Sequence, residues 1–198
     1  MLQFIATTND RYSVAELAQM AIEGGCHWIE LDLPGASDEY VRATAAELKT
    51  LCLETGTFLT IVDRPDVARE AGLHGVQLRG AMASKAAALR EELGAEAVIG
   101  IEAMRPQDVL NAQNLDIDYA TLPAGLSAEE IHTIVRTIRR ADVQLPVVAR
   151  GEFTPDEAIE AIVAGASGIA VASAISGAED PVEATRLLIE AVQAAKQL

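Results

Sequence analysis

FLTIVDRPDVAREAGLHGVQL, residues 58–78, sets two short apolar runs on either side of one amphipathic segment. The runs are FLTIV at 58–62 and GVQL at 75–78. Both are short enough to be strands, and strands apolar on both faces belong to a parallel sheet covered by helices. The same alternation extends in both directions. LQFIA (2–6) and WIELDL (28–33) come before it; AVIGI (97–101), IDYATL (117–122), LPVVA (145–149) and GIAVAS (168–173) come after. Eight strand–helix pairs without a long linker or a compositional break predict one domain over 1–198, a (β/α)8 TIM barrel. An open doubly wound sheet is the rival. Neither G-x-G-x-x-G nor G-x-x-x-x-G-K-[ST] occurs to mark a nucleotide crossover in such a sheet.

The intervening helices have readable ends. Ser13 precedes VAELAQMAIE, which Gly24-Gly25 closes, and Asp38 is positioned to cap the stretch that runs to Gly56. Ser127 with Glu130 three residues on forms a capping-box pattern. Thr154-Pro155 opens a helix that ends at Gly165, and Asp180-Pro181 opens the last one.

Composition excludes several classes of function. The formal net charge of −15 repels nucleic-acid phosphates, and no basic stripe offsets it. No apolar run approaches the roughly 20 residues that cross a bilayer. MLQFIATTND lacks the basic and apolar regions of a secretory leader, so a cytoplasmic protein is expected. Cys26 and Cys52 lack metal-ligand spacing and read as two free thiols. Half the chain is apolar but only 4% is aromatic, so small aliphatic side chains must fill the core.

In a parallel barrel the chemistry sits at the carboxyl ends of the strands. In WIELDL a period of two puts Trp28, Glu30 and Asp32 on one side and Ile29, Leu31 and Leu33 on the other. The apolar trio faces the helices, which leaves Glu30 and Asp32 in the lumen or at its rim. Unpaired buried carboxylates are costly. Two readings follow: an ion pair with Arg79 or Arg150 that plugs the barrel, or a metal or ligand site that Asp63 joins. A third, a site for a cationic ligand, follows from the same acids.

Gly151 and the ASAIS turn after strand eight, with Ala172 and Ser173, stand where barrels hold phosphate on backbone N–H groups. The other reading is that these are small residues in tight turns. Lys49, Lys85 and Lys196 lie off the strands, which disfavours Schiff-base chemistry. His27 and His74 precede strands and His132 falls within a helix, which disfavours histidine acid–base catalysis at the mouth.

These residues carry a resemblance to the thiamine phosphate synthase and thiazole tautomerase family. VDRPDVAREAGLHGVQL (62–78) is similar to the family's N-D-R-x-D-x-A…G-x-x-G-V-H-L, and PVVARGEF (146–153) to P-V-V-A-I-G-G-I. DIDYA (116–120) resembles its aDYig strand, and AGASGIAVASAISGAEDP (164–181) its closing segment. The resemblance implies a (β/α)8 barrel that joins hydroxymethylpyrimidine diphosphate to a thiazole phosphate, with Mg²⁺ and release of pyrophosphate. It implies a metal role for Asp63, a phosphate cradle at Gly151, Ala172 and Ser173, and a dimer. Gln77 stands at the family's His in G-V-H-L. Where the family has Q-L-R-E-K, this chain has Glu30-Leu31-Asp32-Leu33-Pro34, so an acid replaces the arginine. The charge there changes by two units and turns attraction for pyrophosphate into repulsion. Glu30, Asp32, Gln77, Arg150, Gly151, Ala172 and Ser173 are therefore the candidate ligand contacts, and Asp63 the candidate Mg²⁺ ligand. The ligand class is a small phosphorylated heterocycle. Family membership favours an enzyme, whereas the lost positive charge favours a binding or regulatory barrel.

Overall fold

The computed structural model describes residues 1–112 and 115–197. Eight parallel strands close into a barrel in chain order. They are β1 (Leu2–Ala6), β2 (Trp28–Leu31), β3 (Phe58–Val62), β4 (Gly75–Leu78), β5 (Val98–Glu102), β6 (Tyr119–Leu122), β7 (Val147–Arg150) and β8 (Gly168–Val171). The ring is shut by β1 against β8, with Gln3 opposite Ala170. The open-sheet alternative is thereby excluded.

The helices that return the chain are α1 (Val14–Glu23), α2 (Asp38–Thr55), α3 (Pro65–Ala71), α4 (Ala86–Leu93), α5 (Pro106–Ala112), α6 (Ala128–Arg140), α7 (Pro155–Val163), the single turn α8 (Ser173–Ser176) and α9 (Pro181–Ala195). Capping boxes form at Ser13/Glu16, Ser127/Glu130 and Thr154/Glu157, and Asp180 caps α9. One cap differs from expectation. Ser37, not Asp38, caps α2 by accepting from the Tyr40 N–H. Asp38 is instead the first helical residue, where its charge faces the positive end of the helix.

Alternation along the strands sorts the side chains into two layers. Ile29, Leu31, Leu59, Ile61, Val76 and Leu78 point outward and pack under the helices in one continuous core. Burial of each such side chain contributes roughly 1.5–3 kcal/mol. Gln3, Glu30, Thr60, Gln77 and Thr121 are buried polar residues at the alternate positions, in the lumen. Aromatic rings plug the amino end of the lumen. Trp28 meets Tyr119 edge-on at 5.0 Å and donates from Nε1 to Thr60 Oγ1 at 3.0 Å. His74 also lies at this end, its Nδ1 accepting from the Leu59 N–H at 2.9 Å. The other end of the barrel, where charged residues follow β2, β3 and β4 and end β5 and β7, is the mouth.

Candidate functional site

Four strand ends deliver the ion-paired residues of the mouth. Asp32 follows β2 directly, and its backbone N–H donates to the Ala6 carbonyl, which extends the strand by one bond. Asp32 is buried, at 7% exposure. Asp63 follows β3 with φ 52, a left-handed conformation that an aspartate tolerates better than most side chains. This sharp turn frees the chain for α3 and aims the carboxylate across to β4. Arg79 follows β4 there, and Arg150 ends β7.

Arg79 holds the two aspartates together. Its Nη1 and Nη2 donate to Asp32 Oδ2 and Oδ1 at 3.0 and 3.1 Å, the two-pronged geometry that guanidinium and carboxylate share. Nε donates to Asp63 Oδ2 at 3.1 Å, and the backbone N–H to Asp63 Oδ1 at 2.8 Å. Arg150 Nη2 reaches Asp32 Oδ2 at 3.3 Å. Of the readings offered by the sequence, the ion-paired one describes this geometry. The acids are not a bare negative cluster, and the basis for a cationic-ligand site is removed.

Glu30 lies one layer deeper and is wholly buried. Gln3 Nε2 donates to its Oε2 at 2.8 Å, and Arg150 Nη1 stands 3.7 Å from its Oε1. That second contact is Coulombic and too long for a hydrogen bond. Burial pushes the Glu30 carboxyl up to about 7, with Arg150 opposing the rise and Asp32 adding to it. Between an unfolded value near 4.5 and this folded value, the native state binds more protons than the unfolded chain. Stability therefore falls as pH rises through that window. Glu30→Gln is expected to abolish the fall, which is on the order of 3 kcal/mol for a shift of this size. Urea unfolding at pH 5 and pH 8 measures it; equal slopes for the variant and the parent would refute this account of Glu30.

Gln77 points into the lumen and donates to Thr121 Oγ1 at 2.9 Å. It belongs to the polar filling beneath the mouth, as does Gln3. Gly151, expected to offer its N–H to an anion, donates instead to the Ala170 carbonyl at 3.0 Å. A Cβ at Gly151 would come within 3.1 Å of the Phe153 ring, so the small residue also admits that packing. Ala172 precedes α8, whose first N–H groups are already engaged: Ser173 donates to Glu152 Oε1 at 3.3 Å and Ala174 to Glu152 Oε2. Glu152 thus puts a carboxylate where the sequence pattern suggested a phosphate. Beside it a cavity of about 390 Å³ opens between Gly125–Ala128 and Arg150–Phe153. A larger apolar cavity, about 590 Å³, lies at the opposite end, lined by Trp28, Phe58, Tyr119, Pro146, Ile189 and Val192. The charged strand ends do not reach it; of them Arg150 alone lines the smaller space, which opens at the β7 side of the mouth.

The family model for thiamine monophosphate synthase matches residues 2–175, from β1 through most of α8. The chain belongs to the thiamine monophosphate synthase family. A thiamine-phosphate synthase of Bacteroides thetaiotaomicron is 34% identical over 200 aligned positions, which cover 95% of each chain. One from Natronomonas pharaonis is 34% identical over 191 positions, covering 91% of this chain and 88% of its own. Among solved structures, a thiamine phosphate pyrophosphorylase of Pyrococcus furiosus superposes with a TM-score of 0.86 at 28% identity, over 98% of this chain and 96% of that one. An orotidine 5'-phosphate decarboxylase of Pyrococcus horikoshii shares the fold alone, at 19% identity and a TM-score of 0.74. The relationships are those of a thiamine phosphate synthase-like protein.

Membership in the thiamine monophosphate synthase family implies Mg²⁺, and the donor set can be tested against it. Mg²⁺ demands oxygen ligands in near-octahedral geometry. Asp63, the acid to which the resemblance gives a metal role, has both oxygens engaged by Arg79. Among the described residues no three His, Cys, Asp or Glu side chains gather as metal ligands. The residues present do not fit Mg²⁺. The sequence puts Arg79 and Glu152 at strand ends but assigns neither the contacts it makes here, and it gives no role to Gln3. Gln3 was discoverable, since a lone polar residue inside the apolar run LQFIA obeys the same alternation that revealed Glu30.

Proposed function

We propose that this chain is a ligand-binding or regulatory barrel of thiamine biosynthesis, which takes a small phosphorylated heterocycle at its mouth but does not displace pyrophosphate. One observation carries the reading: Asp32 sits between Arg79 and Arg150 and uses the positive charge that a diphosphate leaving group would need. Arg150, Ala172 and Ser173 form the accessible part of the proposed ligand surface; Asp32 lies against Arg150, Glu30 and Gln77 are buried beneath it, and the Gly151 N–H is held by Ala170. Glu152 is an exposed side chain, and a phosphate that swings it aside gains the Ser173 and Ala174 N–H groups. Identity to named synthases across the whole barrel favours a second reading, a working synthase.

Purified protein incubated with Mg²⁺, hydroxymethylpyrimidine diphosphate and hydroxyethylthiazole phosphate separates the two. Saturable binding of the thiazole phosphate by calorimetry, without pyrophosphate release above a protein-free blank, is expected. Turnover above the blank would replace the proposed reading with the second.

The same reading places the protein in the cytoplasm, supported by two buried free thiols, Cys26 and Cys52. Among the described residues no helix is long and apolar enough to cross a membrane. A homodimer is also proposed, through helix faces on which Leu53, Val163 and Leu187 are exposed.

A further inference from the structure

We propose that Arg79 is a built-in replacement for a divalent cation, which makes this mouth metal-independent. The argument starts from lone pairs. Each carboxylate oxygen offers about two lone-pair sites; a guanidinium donor takes one of them and sets a full positive charge where a metal ion would have to stand. Arg79 addresses all four carboxylate oxygens of Asp32 and Asp63 with its three guanidinium nitrogens and its own backbone N–H. Arg150 adds a second donor to Asp32 Oδ2.

Charge leads to the same result. Two guanidinium groups stand against Asp32 and Asp63, with Glu30 buried beneath Arg150, so an arriving Mg²⁺ would meet two fixed cations rather than bare carboxylates. A guanidinium is also weakly hydrated and fixed in a planar fork, and it loses little by staying in a partly buried carboxylate pair. Backbone geometry locks the arrangement further. The left-handed turn at Asp63 and the Arg79 N–H together fix the Asp63 carboxylate toward the guanidinium rather than toward open solvent.

The task of gathering Asp32 and Asp63 thus passes from an exchangeable ion to a tethered side chain. Chelators cannot remove such a cation, and it is present at every metal concentration. The inference holds whether or not the mouth performs catalysis, because it concerns only what can occupy the space between the two aspartates.

Mn²⁺ alone, followed by the loss of its free paramagnetic resonance signal, tests it. The wild-type chain and Asp63→Asn should titrate alike, with only weak uptake by surface acids. Arg79→Ala should gain one site per chain, bound roughly tenfold or more tighter than any in the parent, as expected when a full positive charge leaves a carboxylate pair. Arg79→Ala/Asp63→Asn should lose that site, and added guanidinium ion should displace Mn²⁺ from Arg79→Ala. Two results overturn the inference: wild-type uptake that Asp63→Asn abolishes, or a folded Arg79→Ala chain that gains no site. Should Arg79→Ala fail to fold, Arg79→Gln keeps a shorter polar side chain and removes the charge, and the wild-type comparison with Asp63→Asn decides by itself.

Discussion

Asp32→Ala should cost the fold about 3–5 kcal/mol, the range for removing one partner of a buried ion pair. Asp32 receives three guanidinium N–H bonds, two from Arg79 and one from Arg150. Without it, two positive groups face each other, with only Asp63 and the longer Glu30 contact to answer them. Part of the loss returns through Glu30. Asp32 is a like charge that raises the Glu30 carboxyl, so its removal lets Glu30 ionise more readily beside Arg150. Partial solvent access at the two arginines also softens the penalty, so the lower end of the range is expected. Asp32→Asn retains an acceptor and should cost less than Asp32→Ala. Urea unfolding reads both, and a loss below about 1 kcal/mol for Asp32→Ala would show that solvent, not Asp32, neutralises the arginines.

A still larger effect is expected from Gly75→Ala, at more than about 4 kcal/mol. Gly75 opens β4 and pairs with Val98 of β5. A Cβ placed there would lie 1.8 Å from the Val98 carbonyl oxygen and 2.6 Å from its carbon. These are backbone atoms, and they cannot rotate away as a side chain would. The two strands would have to part, and in a closed ring that strain passes to every neighbouring register. Gly151→Ala supplies the contrast, because its Cβ meets only the Phe153 ring, at 3.1 Å. Soluble yield and the unfolding midpoint should collapse for Gly75→Ala and shift modestly for Gly151→Ala. A Gly75→Ala chain as stable as the parent would show that β4 and β5 stand farther apart than described.

The ring was legible because each strand is an apolar run set off by a capped helix. FLTIV and GVQL fall on β3 and β4 without a shift, whereas IDYATL and LPVVA begin two residues before their strands. Those early residues are apolar or aligned for entry, and hydrophobicity alone does not say where a ladder bond begins. The Asp38-for-Ser37 cap error has a similar origin, since both residue types cap well and stand side by side. At the mouth, alternation correctly placed Glu30 and Asp32 on the inner side. What alternation cannot supply is distance across the barrel. Arg79 and Arg150 lie 47 and 118 residues from Asp32 in the chain, and only ring closure brings all three together. The Glu152 contact was hidden for another reason. Its partners are backbone N–H groups, which leave no trace in residue identity.

The apolar hollow at the barrel's amino end affects how any screen on this protein should be interpreted. A greasy additive that settles beside Phe58 and Ile189 stabilises only the native state and raises the melting temperature by linkage. Such a hit reports occupancy at the far pole of the molecule. Thermal shift therefore needs a displacement partner at Arg150 before it is counted as engagement of the strand-end chemistry.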